Sequence, residues 1–164
     1  MKYADDVLDL LVSEGYTHCF FVAGGNIMHL LESARTRFEC IPVVHEVAAG
    51  IAVEYFNEAR SVSSGRAFAM VTAGPGLTNI VTALAGAFLE SRELLVIGGQ
   101  VKSVDLAAPS MRQRGIQEID GIAIAAPVCV STLQIREPIA LEVVRDTIRS
   151  GVESRKGPCL LYTS

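Results

Sequence analysis

The sequence predicts a doubly wound, mostly parallel α/β sheet with helices on both faces, and two observations carry that expectation. Short β-branched or aromatic runs alternate with segments of helical periodicity throughout the chain, with no internal repeat or low-complexity linker between them. Half of the 164 residues are apolar, yet only 6% are aromatic and none is Trp. Burial must therefore come from Val, Ile, Leu and Ala, the residues of strands covered on both faces. The length suits one domain with a sizeable core.

In order, Val7, Leu8, Leu11 and Val12 fall at helical spacing over 4–14, behind Asp5 and Asp6 and before Gly15, a glycine suited to ending a helix. Residues 17–23 read as a buried strand running into the Gly24-Gly25 turn, and Asn26 is placed to cap a short helix reaching about Ala34. A second strand at 40–44 feeds a helix over 46–60 that is apolar almost all round. A loop at 61–65 leads to a third strand, 66–72, then to Ala73-Gly74-Pro75-Gly76 and a helix over 76–90, again apolar on nearly every side. Such helices must be covered on more than one side.

A fourth strand at 94–98 closes on Gly99-Gln100, and the looser stretch 101–115 is long enough to be a functional loop. A short helix within 116–126, a strand at 128–132, an amphipathic helix marked by Ile139, Val143, Val144 and Ile148, and a last strand at 158–162 complete the pattern.

A net charge of −4 with no basic run argues against a nucleic-acid surface. The longest apolar runs are broken well short of the ~20 residues of a membrane span. The N-terminus lacks the basic and then apolar regions of a signal peptide. Cys19, Cys40, Cys129 and Cys159 show no C-x-x-C spacing, so reduced thiols, a cytoplasmic location and no metal ligands are expected.

In a doubly wound sheet, ligands bind at the carboxyl ends of the strands. Three turns lie there: Gly24-Gly25, the His45-Glu46 junction and Gly74-Pro75-Gly76. Asn79 stands where a third dinucleotide-binding glycine belongs, no Gly-Lys-Ser/Thr supports a P-loop, and no G-x-S-x-G presents a nucleophilic serine. His18 and His29 read as partly buried histidines. Glu46 could be an ordinary first-turn acid. Walled by Val44, Val47 and Ala48, it would also be poorly solvated and a ready proton partner.

Taken in order, five segments resemble the pyrimidine-binding (PYR) domain of thiamine-diphosphate-dependent enzymes, in the acetolactate synthase and pyruvate oxidase branch. They are Gly15-Tyr16 into Phe20–Gly25, His45-Glu46, Thr72–Asn79, Ile97-Gly98-Gly99-Gln100-Val101 and Ile116-Gln117-Glu118-Ile119-Asp120. The resemblance implies that Glu46 hydrogen-bonds the N1′ nitrogen of the cofactor's aminopyrimidine. It makes Gln117 a second catalytic candidate and Gly24, Gly25, Thr72, Pro75 and Asn79 walls of the pyrimidine pocket; turn glycines and a capping Asn79 are the structural alternative. Relative to the family, the first turn lacks an early glycine and a proline, and Arg92-Glu93 occupies a place where proline is common. The phrase from Gly24 to Leu30 looks more like the acetolactate-synthase-like proteins found with surface-polysaccharide genes than like the branched-chain biosynthetic enzyme.

The family's Gly-Asp-Gly, which binds the diphosphate and Mg2+, does not occur in this sequence. The resemblance thus implies thiamine diphosphate held at its pyrimidine end, Mg2+ held by a separate domain, a pyruvate-like 2-oxo acid substrate, and FAD as a possible cofactor that nothing in the sequence indicates. A homodimer or tetramer through helices 46–60 and 76–90 is expected. Residues 1–158 are expected to form the domain. Residues 159–164 match one reading frame of a transposon-end sequencing adaptor and are suspected to be a non-native or truncated tail, with a short edge strand as the alternative. A stand-alone subunit of a heteromeric 2-oxo acid decarboxylase and a non-catalytic binding module remain the competing readings.

Overall fold

The computed structural model describes residues 2–61, 64–108 and 110–164. Residues 62 and 63, within the loop expected at 61–65, and residue 109, within the loop expected at 101–115, lie outside the described residues. Six strands, β1 (Tyr16–Phe21), β2 (Glu39–Pro42), β3 (Arg66–Val71), β4 (Leu94–Gly99), β5 (Ser131–Ile135) and β6 (Pro158–Thr163), form one sheet in the order β2-β1-β3-β4-β6-β5. Every pairing is parallel.

Among the described residues, six α-helices cover the sheet: α1 (Tyr3–Ser13), α2 (Met28–Ala34), α3 (Glu46–Ala59), α4 (Pro75–Glu90), α5 (Gly121–Ala125) and α6 (Leu141–Ser150). Alternation along the strands divides the core in two, because successive side chains point to opposite faces. Phe68, Met70, Leu95 and Ile97 pack with α1, α2 and α6, whereas Ala67, Ala69, Val71 and Val96 pack with α3, α4 and α5. The second face carries the smaller side chains, and there α3 crosses α4 at close range. A Cβ at Gly50 would stand 2.3 Å from the Ala83 Cβ, so only a glycine allows that approach.

The largest departure concerns the last strand. Residues 159–164, suspected of being a non-native tail with a short edge strand as the alternative, lie in an interior strand: β6 pairs with β4 on one side and β5 on the other, and Cys159–Tyr162 are buried. Both neighbours of β6 lie earlier in sequence, so its place depends on crossovers that local pattern cannot reveal. Asn26, expected to cap a helix, makes no such bond; Gly25–Ile27 is a 3-10 turn leading into α2. The fifth strand starts three residues later than expected, at Ser131, because Ala126–Val128 continues as a 3-10 turn around Pro127.

Helix α3 is not evenly covered. Its polar residues Glu54 and Asn57 point inward, while Ile51 and Tyr55 face solvent. Asn57 donates to the Ala67 carbonyl at 3.1 Å and accepts from the Ala67 N–H at 2.8 Å, giving the start of β3 the partner a further backbone would supply. Glu54 receives Arg92 at 2.6 Å. With its polar groups paired inside, the helix keeps apolar side chains on its outer surface.

Candidate functional site

The carboxyl ends of β1, β2, β3 and β4 open into the turns singled out by the sequence. Glu46 is the first residue of α3, directly after β2, and His45 caps that helix by accepting the Val47 N–H on Nδ1 at 3.2 Å. Glu46 is 8% exposed. Its Oε2 accepts a hydrogen bond from Asn79 Nδ2 at 2.9 Å. Asn79 lies a full turn inside α4 and caps nothing, so its capping alternative is corrected: it positions the carboxylate. Val44, expected to wall Glu46, is 99% exposed, and Ala48 is exposed too. Glu46 is instead enclosed by α4, where an added Cβ on Gly76 would come within 3.4 Å of its Oε1.

Thr72 is the post around which the turns assemble. A Cβ at Gly24 would fall 2.3 Å from Thr72 Cγ2, and one at Gly76 would fall 2.5 Å from Thr72 Oγ1. Gly74 has φ +60° and ψ −120°, a backbone conformation that side chains oppose, and it turns the chain into Pro75, the first residue of α4. Against Gly74 lies Gln117, itself at φ 60°, with its carbonyl oxygen 2.8 Å from where a Cβ would be. The structure therefore brings Gly24, Glu46, Thr72, Pro75, Asn79 and Gln117 to one end of the sheet. Gly25 is beside them and exposed, with open space in front of it.

Two residues with no assigned role in the sequence organise this end. Gln100 is buried after β4, donating to the Ile119 carbonyl at 2.9 Å and accepting the Val101 N–H at 2.9 Å. Glu118 accepts backbone N–H bonds from Ala107 at 2.7 Å, Arg114 at 3.0 Å and Gly115 at 2.9 Å. These bonds, led by that of Ala107, hold its carboxyl below the usual range. A depressed pKa favours the folded loop above the unfolded-state value, and the benefit disappears as pH falls through the folded one. Amide exchange at Ala107, Arg114 and Gly115 is accordingly expected to lose protection selectively on acidification, and in Glu118→Ala at neutral pH. Unchanged protection would show that the loop is held otherwise. The sequence signalled Glu118 through its place in the Ile116–Asp120 segment, three residues after a glycine in a polar stretch, without revealing its bonds to the loop.

Of the histidines, His18 is half-buried, bonding Glu39 at 3.2 Å and packing on Phe56, whereas His29 is exposed, correcting the expectation for it. Among the described residues, no group of three or more His, Cys, Asp or Glu could hold a metal ion, and no helix is long and apolar enough to cross a membrane. Two cavities, of about 250 and 240 Å3, lie near the ends of β4, β5 and β6, and Glu46 lines neither.

A parallel α/β domain with close-packed glycine turns and a buried carboxylate at its strand ends has the form of a cofactor-binding domain. The chain belongs to the family described as thiamine pyrophosphate enzyme, N-terminal TPP binding domain, whose model matches residues 1–124. It is 28% identical over 162 residues to an acetolactate synthase large subunit of Buchnera aphidicola, covering 96% of this chain and 27% of that protein. It is 31% identical over 156 residues to a 2-hydroxyacyl-CoA lyase 2 of Caenorhabditis elegans, with coverages of 93% and 22%. It is 30% identical over 164 residues to a probable acetolactate synthase large subunit of Methanocaldococcus jannaschii, with coverages of 96% and 26%. The chain thus spans about a quarter of the length of the curated relatives it matches.

Proposed function

We propose that this chain is the pyrimidine-binding part of a thiamine-diphosphate-dependent, acetolactate synthase-like enzyme that decarboxylates a pyruvate-like 2-oxo acid and passes the product to an acceptor. The observation that carries the reading is Glu46, a buried carboxylate fixed by Asn79 at the ligand end of the sheet. The residues present fit an aminopyrimidine. Glu46 is an acceptor for a ring N–H, Asn79 holds it in one orientation, and Gly24, Gly74 and Gly76 keep side chains out of the turns around it.

Thiamine diphosphate, when bound, would supply an electron sink for the negative charge left on the former carbonyl carbon of the 2-oxo acid. Glu46 holds or releases a proton at its carboxylate, which is the task of a general acid-base group. Thr72 and the glycines set the floor, and Gln117, above Gly74, supplies a polar side chain near the reacting centre. The diphosphate and its Mg2+ are assigned to the domain that carries the family's Gly-Asp-Gly, a motif that does not occur in this sequence.

The partner surface is the outer side of α3 and α4. Ile51 and Tyr55 on α3 and Leu89 on α4, the last 76% exposed, are apolar side chains left facing outward, which suits a second subunit in a homodimer or tetramer. A cytoplasmic location agrees with the free thiols.

Calorimetry with thiamine diphosphate and Mg2+ is expected to give little or no heat for the isolated 164-residue chain, and binding with 2-oxo acid turnover for a holoenzyme that contains it. Tight binding by the chain alone, or a holoenzyme without thiamine-diphosphate-dependent turnover, would contradict the reading.

A further inference from the structure

Cys19 and Cys40 are direct register partners on the parallel strands β1 and β2. Side chains of register partners leave the sheet on the same face, and both cysteines belong to the core packed under α1 and α2. Adjacent strands lie about 4.8 Å apart, inside the ~4.4–6.8 Å between Cα atoms that a disulfide accepts. The two thiols are free.

Their surroundings differ. Cys19 is fully buried. Cys40 is half-buried on the edge strand and lines an open cavity of about 330 Å3 with Phe21, Met28, Leu31, Glu32 and Arg35. A small reagent can therefore reach one sulfur, while the other waits behind it.

We propose that Cys19 and Cys40 form a reversible oxidation site in which Cys40 is the peroxide-reactive thiol and Cys19 resolves it to an intramolecular disulfide. The oxidant is hydrogen peroxide. The Cys40 sulfur attacks the O–O bond and takes one oxygen as a sulfenic acid, and the other oxygen leaves as water. The Cys19 sulfur then displaces that oxygen; the S–S bond forms, the S–O bond breaks and a second water departs. Two thiols lose two electrons, and hydrogen peroxide is reduced to two waters.

The electrostatics agree with this division of labour. Contact between the thiols favours the thiolate of Cys40 and disfavours that of Cys19, whose burial adds to the effect. Burial also holds the thiols of Cys129 and Cys159 up, and Cys159 donates to the Thr147 carbonyl at 3.1 Å. Neither matches Cys40 in thiolate character or access.

Register partners in a parallel ladder must draw their Cβ atoms together from about 4.8 Å to about 3.8 Å. The bond is therefore strained and easily reduced, as a reversible site requires. It would join the two strands whose ends deliver Gly24-Gly25 and Glu46.

The test is to treat the reduced, folded chain with stoichiometric hydrogen peroxide, block remaining thiols and map the peptides by mass spectrometry. The expected product is a Cys19–Cys40 crosslinked peptide, lighter by two hydrogens and restored by a monothiol reductant. Cys19→Ser is expected to stop at a sulfenic acid on Cys40 that dimedone traps, and Cys40→Ser to leave Cys19 reduced. The wild-type map requires no variant to fold. Oxidation first at Cys129 or Cys159, crosslinks only between chains, or Cys19 oxidation in Cys40→Ser would overturn the assignment.

Discussion

Glu46→Gln is expected to lower turnover of a 2-oxo acid by a holoenzyme containing this domain by about 10²–10⁴-fold, the range over which a positioned acid-base group acts. The substitution preserves shape, and the glutamine side-chain oxygen can still accept from Asn79, so fold and cofactor affinity should change little. What is lost is the ability of this position to take up and release a proton. Steady-state kinetics at saturating cofactor would show the loss in kcat rather than KM. Undiminished kcat in the variant would assign Glu46 to the ordinary role of a first-turn helix acid.

The second large effect is on stability. Glu93→Ala is expected to destabilise the chain by about 1–3 kcal/mol, the cost of leaving the partly buried Arg66 and Arg60 without their shared acceptor. Glu93 is 3% exposed and receives Arg66 at 2.5 Å and Arg60 at 3.3 Å. Arg66 also lies over the Tyr16 ring, 4.2 Å from its centroid, and donates to the Glu14 carbonyl at 3.3 Å. One acid thus joins the ends of α1 and α3 to the starts of β3 and β4. A lowered urea midpoint with an unchanged m-value would bear this out. A midpoint like that of the wild type would show that the arginines find water or other acceptors. The sequence marked Arg92-Glu93 only as a substitution for proline; its structural role required knowing that β1, β3 and β4 are neighbours.

The alternation of strands and helices was legible because each uses its own period, and element ends agreed to within a few residues wherever Gly or Pro stopped the chain. Gly15, at φ 84°, and the Gly74-Pro75 start of α4 are examples. The site was legible as a set of turns, since parallel topology sends the ends of β1, β2 and β3 to one edge. Contacts between turns were not legible. The Asn79–Glu46 bond spans 33 residues and the Gly74–Gln117 packing 43, and nothing local at Asn79 distinguishes a cap from a positioning residue. The orientation of α3 was hidden for a related reason. A helix apolar on all sides gives no moment to fix its roll, and here buried pairing of Glu54 and Asn57 decides which apolar side chains face out.

The most direct test of the central claim separates the proton step from the rest of the reaction. Hydrogen–deuterium exchange at the reactive thiazolium carbon can be followed by NMR after acid quench, in holoenzyme with wild-type Glu46 and with Glu46→Gln, both saturated with thiamine diphosphate and Mg2+. Fast exchange in the wild type and exchange slowed by at least about 10²-fold in the variant, at equal cofactor occupancy, is the expected result. Equal exchange rates in the two proteins would contradict the assignment of Glu46 as the cofactor's proton partner.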